Sequence, residues 1–198
     1  AYERLKLALE QKVQSAARTG LSTIIVRPTA IVGPQGANLA SLARSLLSGP
    51  AAWSYVRACL FGTRPMHLVP VATVASAILF LAAAPDRFAG ETYIVAADDD
   101  PDNRFPTVER MLAAALNLPG RSFPVLPLPR ALLSSILKLR GRSDPASERM
   151  YSSEKLRATG FVPVVSVADA VVEFGDWYRK NMVVVRGNVS PWQAGSGA

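Results

Sequence analysis

A tyrosine and a lysine spaced four residues apart open the long helical pattern with which this chain begins. They are Tyr2 and Lys6 in the run Tyr-Glu-Arg-Leu-Lys, and residues four apart in a helix share one face. A free phenol has a pKa of about 10, which a neighbouring ammonium group lowers by stabilising the phenolate. The pair therefore predicts a tyrosine that exchanges protons near neutral pH, although a solvated helix face can carry the same spacing by chance.

The segments that follow this helical pattern constrain the fold. Gly20 ends the pattern, a β-rich run extends from Leu21 to Val26, and Arg27-Pro28 leads to a turn at Gly33-Pro34. Beyond it, helical patterns alternate with short apolar runs, as is typical of α/β proteins. Helices are predicted at 2–19, 38–48, 71–84, 105–117, 128–139, 153–159 and 167–181. Strands are predicted at 22–27, around 58–61, 66–69 and 91–96.

This order of motifs resembles the NAD-dependent epimerase/dehydratase family, the extended branch of the short-chain dehydrogenase/reductase superfamily. The run Met66 to Ala77 looks like the family's segment that returns to the cofactor domain, and Gly90 to Val95 resembles its next strand. Ser153 to Pro163 and Ser166 to Arg179 are similar to its closing helices. The resemblance implies the C-terminal part of a Rossmann-type doubly wound sheet plus a smaller mixed α/β substrate-binding lobe.

The resemblance also implies a division of the chain. The remnant of the Rossmann domain would comprise residues 1–35 and 67–84, the substrate-binding lobe 36–66 and 85–185, and a flexible tail 186–198. The family's Gly-x-x-Gly-x-x-Gly turn, which holds a pyrophosphate at a helix N-terminus, does not occur in the sequence. We therefore expect a C-terminal fragment of a longer enzyme, inactive by itself.

A few residues receive roles from the resemblance. Tyr2 would be the acid/base, and Lys6 would bind the nicotinamide ribose hydroxyls while lowering the pKa of the tyrosine. Pro28, Ala30 and Ile31 match the loop whose backbone faces the nicotinamide carboxamide. The implied cofactor is NAD or NADP. The implied reaction is hydride transfer at a secondary alcohol or ketone, on a nucleotide sugar in the commonest use of the family.

The sequence departs from the sugar-nucleotide members at several positions. Ala30 stands where asparagine is frequent, and Met66 stands where many members have an arginine that grips the diphosphate. Arg64 is the nearest substitute, so it is predicted to bind substrate. His67 is predicted either to lie beside the substrate or to pack and hydrogen-bond at a strand position.

These departures keep two further hypotheses open. One is a hydroxysteroid- or flavonoid-type reductase of the same superfamily, and the other is a non-catalytic binding subunit. The apolar residues that would line the reductase pocket, unless they are ordinary core, are Leu46, Leu47, Trp53, Leu60 and Phe61.

Charge and composition argue against several other classes of protein. The net charge is +7, but the basic residues are scattered, and the densest group, at 138, 140 and 142, follows an apolar helix without interleaved aromatic residues. We therefore expect no nucleic-acid partner. The longest apolar stretch, Val74 to Ala84, is too short to span a bilayer, so no membrane partner is expected either. The mean hydropathy of +0.19 suits a piece that buries a face against another part of its protein.

The sequence contains few residues that could bind a metal. One cysteine, Cys59, and one histidine cannot form a zinc site. The acidic run from Asp98 to Asp100 is interpreted as a solvated turn. Without a secretory signal or a cysteine pair, a cytoplasmic location is expected. Family members often dimerise through the helix that bears the tyrosine, so a homodimer is possible in the complete protein.

Overall fold

The computed structural model describes residues 2–49, 55, 57–59, 64–119 and 150–182, without the side chains of Tyr2 and Glu3. Several predictions fall outside these residues. They are the helix at 128–139, the basic group at 138–142, the tail at 186–198 and the side chains of Trp53, Leu60 and Phe61.

The described chain alternates helices with short strands. The helices are α1 (Tyr2–Ala17), α2 (Ala40–Ser48), α3 (Val71–Ala82), α4 (Pro85–Phe88), α5 (Phe105–Ala115), α6 (Glu154–Arg157) and α7 (Val167–Met182). The strands are β1 (Ile25–Pro28), β2 (Ala30–Val32), β3 (Leu68–Pro70) and β4 (Thr92–Val95). The predicted α/β class is confirmed.

The strands form two parallel pairs. β1 pairs with β4, from Ile25 opposite Thr92 to Pro28 opposite Val95. β2 pairs with β3, from Ala30 opposite Leu68 to Val32 opposite Pro70. Parallel pairing needs long crossover connections, which the intervening helices provide. β4, which the sequence analysis assigned to the substrate-binding lobe, thus pairs with β1, a strand of the predicted Rossmann remnant. The division of the chain into domains stays a prediction.

Two hydrophobic clusters form the core. One joins β1, β3 and β4 to α3, α4 and α6, and its larger buried members are Val69, Leu81, Phe88, Tyr93, Leu156 and Phe161. The other lies among α2, α5 and α7, and its larger buried members are Leu39, Leu112, Phe174 and Tyr178. Leu46 and Leu47 are partly buried against this second cluster, so they are core residues as far as the structure describes their surroundings.

Two strand predictions need correction. Residues 57–59, placed at the start of a strand around 58–61, are helical. A short apolar run does not by itself distinguish a strand from a buried helix, and the alanine at position 58 favours the helix. The second correction is β2, which forms where the sequence indicated a loop between Pro28 and Gly33, because its β-branched residues pair with β3.

Candidate functional site

Helix α1, which carries the predicted Tyr2 and Lys6 pair, is tied to β1 by an ion pair. Nε of Arg27 donates to Oε1 of Glu10 at 2.9 Å. The Arg27 hydrogen bond lowers the pKa of Glu10, to which the charge of Lys6 also contributes, and Glu10 raises the pKa of Arg27. Lys6 and Glu10 are four residues apart and share one helix face. Glu10 therefore ties the middle of α1, one turn beyond Lys6, to β1, while the Lys6 side chain is exposed.

The turn after β1 is built into the sheet. The backbone N–H of Thr29 donates to the Val95 carbonyl at 3.1 Å, and that of Ala30 donates to the His67 carbonyl at 2.8 Å. Pro28 ends β1, and Ala30 and Ile31 belong to β2, so this is a strand where the sequence predicted a loop. The Ile31 carbonyl accepts Nδ2 of Asn38 at 2.7 Å, which leaves the Thr29 hydroxyl as the polar side-chain group of this turn. That hydroxyl oxygen is buried and has no hydrogen-bond partner among the described residues.

His67 lies immediately before β3 and hydrogen-bonds to a buried carboxylate. Its Nδ1 is 2.6 Å from Oδ2 of Asp98, which is completely buried. The same oxygen accepts the backbone N–H of Tyr151 at 2.8 Å. The Tyr151 ring packs edge-on against the imidazole, with ring centroids 5.1 Å apart. His67 therefore hydrogen-bonds, although its φ of 54° is not that of a strand, and its contact with substrate stays a prediction.

The acidic run from Asp98 to Asp100 forms the turn that its composition indicated, but it is solvated only in part. Asp98 is buried, and Asp100 accepts the backbone N–H of Asp102 at 2.9 Å and that of Val167, at the start of α7, at 3.3 Å. Asp99 faces solvent and pairs with Arg157. The composition of the run is that of an exposed turn, and the fold can bury Asp98 because the imidazole and the Tyr151 amide hydrogen-bond to its Oδ2.

A second buried polar side chain, Asn103, fixes the start of β3 against the end of β4. Its Nδ2 donates to the carbonyls of Leu68 at 2.9 Å and Ala97 at 2.8 Å. Its Oδ1 accepts the Leu68 N–H at 3.0 Å. Nearby, Ser153 Oγ lies 2.7 Å from both the N and the O of Ala96. Sequence reasoning missed both residues, because only the pairing of the strands brings their partners together.

Arg64 lies on the extended segment that leads to His67. Its carbonyl accepts the Phe105 N–H at 3.0 Å, and the Met66 N–H donates to the Asn103 carbonyl at 3.0 Å. Met66 packs against the hydrophobic cluster among α2, α5 and α7. The structure therefore places the two predicted substrate-binding residues, Arg64 and His67, on one short segment at the junction of the two clusters.

The sequence also gave no signal for a buried charge pair between residue 57 and α5. Nη2 of Arg57 lies 3.5 Å from Oε1 of Glu109, which is 1% exposed. Burial lowers the pKa of Arg57. The pair joins the 57–59 segment to α5.

The part of the chain that the structure describes contains neither a metal site nor a membrane-spanning helix. No group of three or more histidine, cysteine, aspartate or glutamate side chains could hold a metal ion there. None of the helices described is both long and apolar enough to cross a membrane.

Comparison with known proteins places this geometry in a known fold. No protein-family model and no curated protein sequence matches the chain. Among solved structures, it is similar to a nucleoside-diphosphate-sugar epimerase from Pseudomonas aeruginosa, with 22% identity, a TM-score of 0.50 and coverage of 89% of this chain and 54% of that one. It is also similar to dTDP-glucose 4,6-dehydratase from Bacillus anthracis in complex with NAD, with 16% identity, a TM-score of 0.56 and coverage of 87% and 50%.

A third similar structure is the enzyme WbmF from Bordetella bronchiseptica, in complex with NAD+ and UDP. It has 17% identity and a TM-score of 0.57, and the match covers 89% of this chain and 52% of WbmF. The chain thus spans about half the length of these enzymes. At this identity the similarity shows the fold, and the Rossmann-type fold implied by the sequence resemblance is confirmed.

Proposed function

We propose that the chain is the catalytic and substrate-binding part of an NAD(P)-dependent enzyme that transfers a hydride at a secondary alcohol or ketone, in an epimerase, dehydratase or dehydrogenase reaction. Tyr2 exchanges the proton of the substrate oxygen, and Lys6 holds the phenol in its reactive state and binds the ribose of the cofactor. The fragment by itself is inactive. A cytoplasmic location and a homodimer of the complete protein are part of this proposal.

The observation that carries the proposal is the position of α1 beside β1. The Glu10–Arg27 ion pair brings the middle of the helix, one turn beyond Lys6, to this strand. The carboxyl ends of β1 and β4 meet next to His67 and Asp98. In open parallel sheets, ligands bind at the carboxyl ends of the strands. In this proposal the proton-transfer pair and these polar residues border one region, and the support for it is that α1 lies beside β1.

The residues at this region suit a nicotinamide dinucleotide. When bound, the cofactor accepts or gives the hydride. Lys6 would bind its ribose hydroxyls, while the backbone near Pro28, Ala30 and Ile31 and the Thr29 hydroxyl would meet its carboxamide. The support for this fit is the buried Thr29 oxygen, which lacks a hydrogen-bond partner in the described structure, because a buried polar atom that stays unpaired costs free energy.

The substrate proposed first is a nucleotide sugar, because the similar structures include an enzyme whose complex contains UDP. Arg64 would bind the diphosphate and His67 a sugar hydroxyl. The apolar Met66 favours a second candidate, a hydroxysteroid- or flavonoid-type reductase. Against that candidate, Leu46 and Leu47 are partly buried against the core cluster among α2, α5 and α7.

Rapid mixing of the complete protein with cofactor and substrate would test the reaction class. Epimerisation, dehydration and simple oxidation share a first hydride step, so a single turnover should produce reduced cofactor, transiently in the first two reactions. The substrates to compare are nucleotide sugars and secondary alcohols without phosphate. A protein that binds cofactor and substrate but never reduces the cofactor would support the non-catalytic binding subunit.

A further inference from the structure

The His67 backbone adopts a conformation that side-chain packing alone does not explain. Its φ of 54° lies in the left-handed region, which is unfavourable for residues with a Cβ atom. The His67 carbonyl accepts the Ala30 N–H at 2.8 Å, and its Nδ1 meets Asp98. Strained backbone of this kind persists where the surrounding contacts enforce it, often at functional sites. Here those contacts hold one imidazole nitrogen against a buried carboxylate.

Asp98 does more than accept two hydrogen bonds. An asparagine oxygen could accept the His67 and Tyr151 donors equally well. An aspartate adds a group that can carry a negative charge, in a completely buried position, and its Oδ1 has no hydrogen-bond partner among the described residues. Burying a charge with one bare oxygen is costly. The effect that the charge adds is on the imidazole, whose proton it attracts to Nδ1.

We propose that Asp98 is a positioning residue for His67. It holds the imidazole proton on Nδ1, so that Nε2 is the nitrogen that accepts a hydrogen bond from a substrate hydroxyl. The edge-on Tyr151 ring fixes the plane of the imidazole, and 28% of the His67 side chain remains exposed for a ligand. The inference rests on the proposed function, because a hydroxyl-bearing substrate is the partner that Nε2 would meet.

Nitrogen NMR of the imidazole tests the proton position directly. His67 is the only histidine of the 198 residues, so in the tag-free chain its ring signals need no assignment. We expect the neutral ring to carry its proton on Nδ1. In Asp98→Ala the proton should move largely to Nε2, whereas the matched control Asp99→Ala, at an exposed carboxylate, should change nothing. A wild-type ring protonated on Nε2 would overturn the inference.

A double-mutant cycle in the complete protein tests the consequence for substrate, with variants that keep the shape of the site. His67→Gln should raise the substrate KM by about tenfold, the loss expected for one hydrogen bond. Asp98→Asn, which keeps an acceptor oxygen but removes the charge, should raise KM severalfold. Because Asp98 acts through His67, the double variant should be no worse than His67→Gln. Affinity for the cofactor should stay constant.

The outcomes separate the two proposals. The role of Asp98 would be overturned if the wild type turns over normally but the effects of the two substitutions add in the double variant. It would also be overturned if Asp98→Asn leaves KM unchanged. Either result would leave the proposed function intact. Absence of hydride transfer in the wild type would overturn the proposed function. The NMR result would then still decide whether Asp98 controls the His67 proton.

Discussion

Single buried polar residues hold the ends of the strands together in this molecule. Asn103 makes three hydrogen bonds to backbone groups at the start of β3 and just after β4, and Ser153 makes two to Ala96. Each bond in a buried place contributes about 1 kcal/mol, and each unpaired group left by its removal costs about 1–3 kcal/mol. Two side chains, those of Asn103 and Ser153, therefore hold the backbone beside His67 in place.

Arg64 decides between the two candidate substrates. In the complete enzyme, Arg64→Ala should raise the KM for a nucleotide sugar by about tenfold or more, because a charged hydrogen bond to phosphate contributes roughly 1.4 kcal/mol or more. Arg104→Ala is the matched control. Arg104 is the bridge partner of Pro65, and neighbouring residues of an extended segment face opposite sides, so Arg104 lies on the other face from Arg64.

Steady-state kinetics with both variants provides the measurement. An unchanged KM in Arg64→Ala would remove its role in binding a diphosphate. Equal turnover of an apolar alcohol without phosphate would move the assignment to the reductase.

The packing of α5 against α7 depends on a glycine. A Cβ atom on Gly175 would lie 2.5 Å from the Cβ of Ala115 and 3.3 Å from Cδ1 of Leu112. Real Cβ atoms do not approach so closely, so the helices would have to separate. Gly175 thus permits the close contact that buries Phe174 and Val171 beside it.

Gly175→Ala should lower the thermal midpoint of the chain. Overpacking costs about 1–3 kcal/mol, which outweighs the gain of up to about 1 kcal/mol from better helix propensity. The double variant Gly175→Ala/Ala115→Gly, which removes the opposing methyl group, should recover part of the loss. A midpoint in Gly175→Ala equal to or above that of the wild type would show that the helices move apart freely.

The element boundaries show where sequence reasoning succeeds and where it fails. The periodic apolar pattern placed α3, α5 and α7 within about two residues of their observed ends, because one face of each packs into a core. The short run around 58–61 gave no such periodicity and was assigned the wrong element. β2 was missed because its three residues are a strand only through their pairing with β3. Asp98 is buried through contacts with His67 and Tyr151, which are 31 and 53 positions away from it in the sequence. Local composition does not encode such contacts.

At the scale of the whole molecule, α1 has an apolar surface that the described structure leaves uncovered. Leu5 and Leu9, which share one helix face, are 60% and 55% exposed. The match to enzymes about twice as long agrees with a chain that normally packs against further protein. Dimerisation through α1 stays a prediction.

The 198-residue chain by itself should not bind NADH more tightly than about 100 µM, an affinity that corresponds to about 5.5 kcal/mol. Its sequence contains no Gly-rich turn to hold the pyrophosphate. Calorimetric titration would measure this, with circular dichroism of the same sample as a check of folding. A tighter complex would contradict the fragment interpretation.

The central claim is that Tyr2 is the proton-transfer group of a hydride-transfer enzyme, and the most direct measurement is kcat of Tyr2→Phe in the complete protein. The variant loses the hydroxyl but keeps the ring, so the cofactor dissociation constant should stay close to that of the wild type. General acid–base groups contribute about 100- to 10,000-fold, so kcat should fall by at least about 100-fold. A variant that retains more than about a third of the wild-type kcat, with unchanged cofactor binding, would contradict the claim.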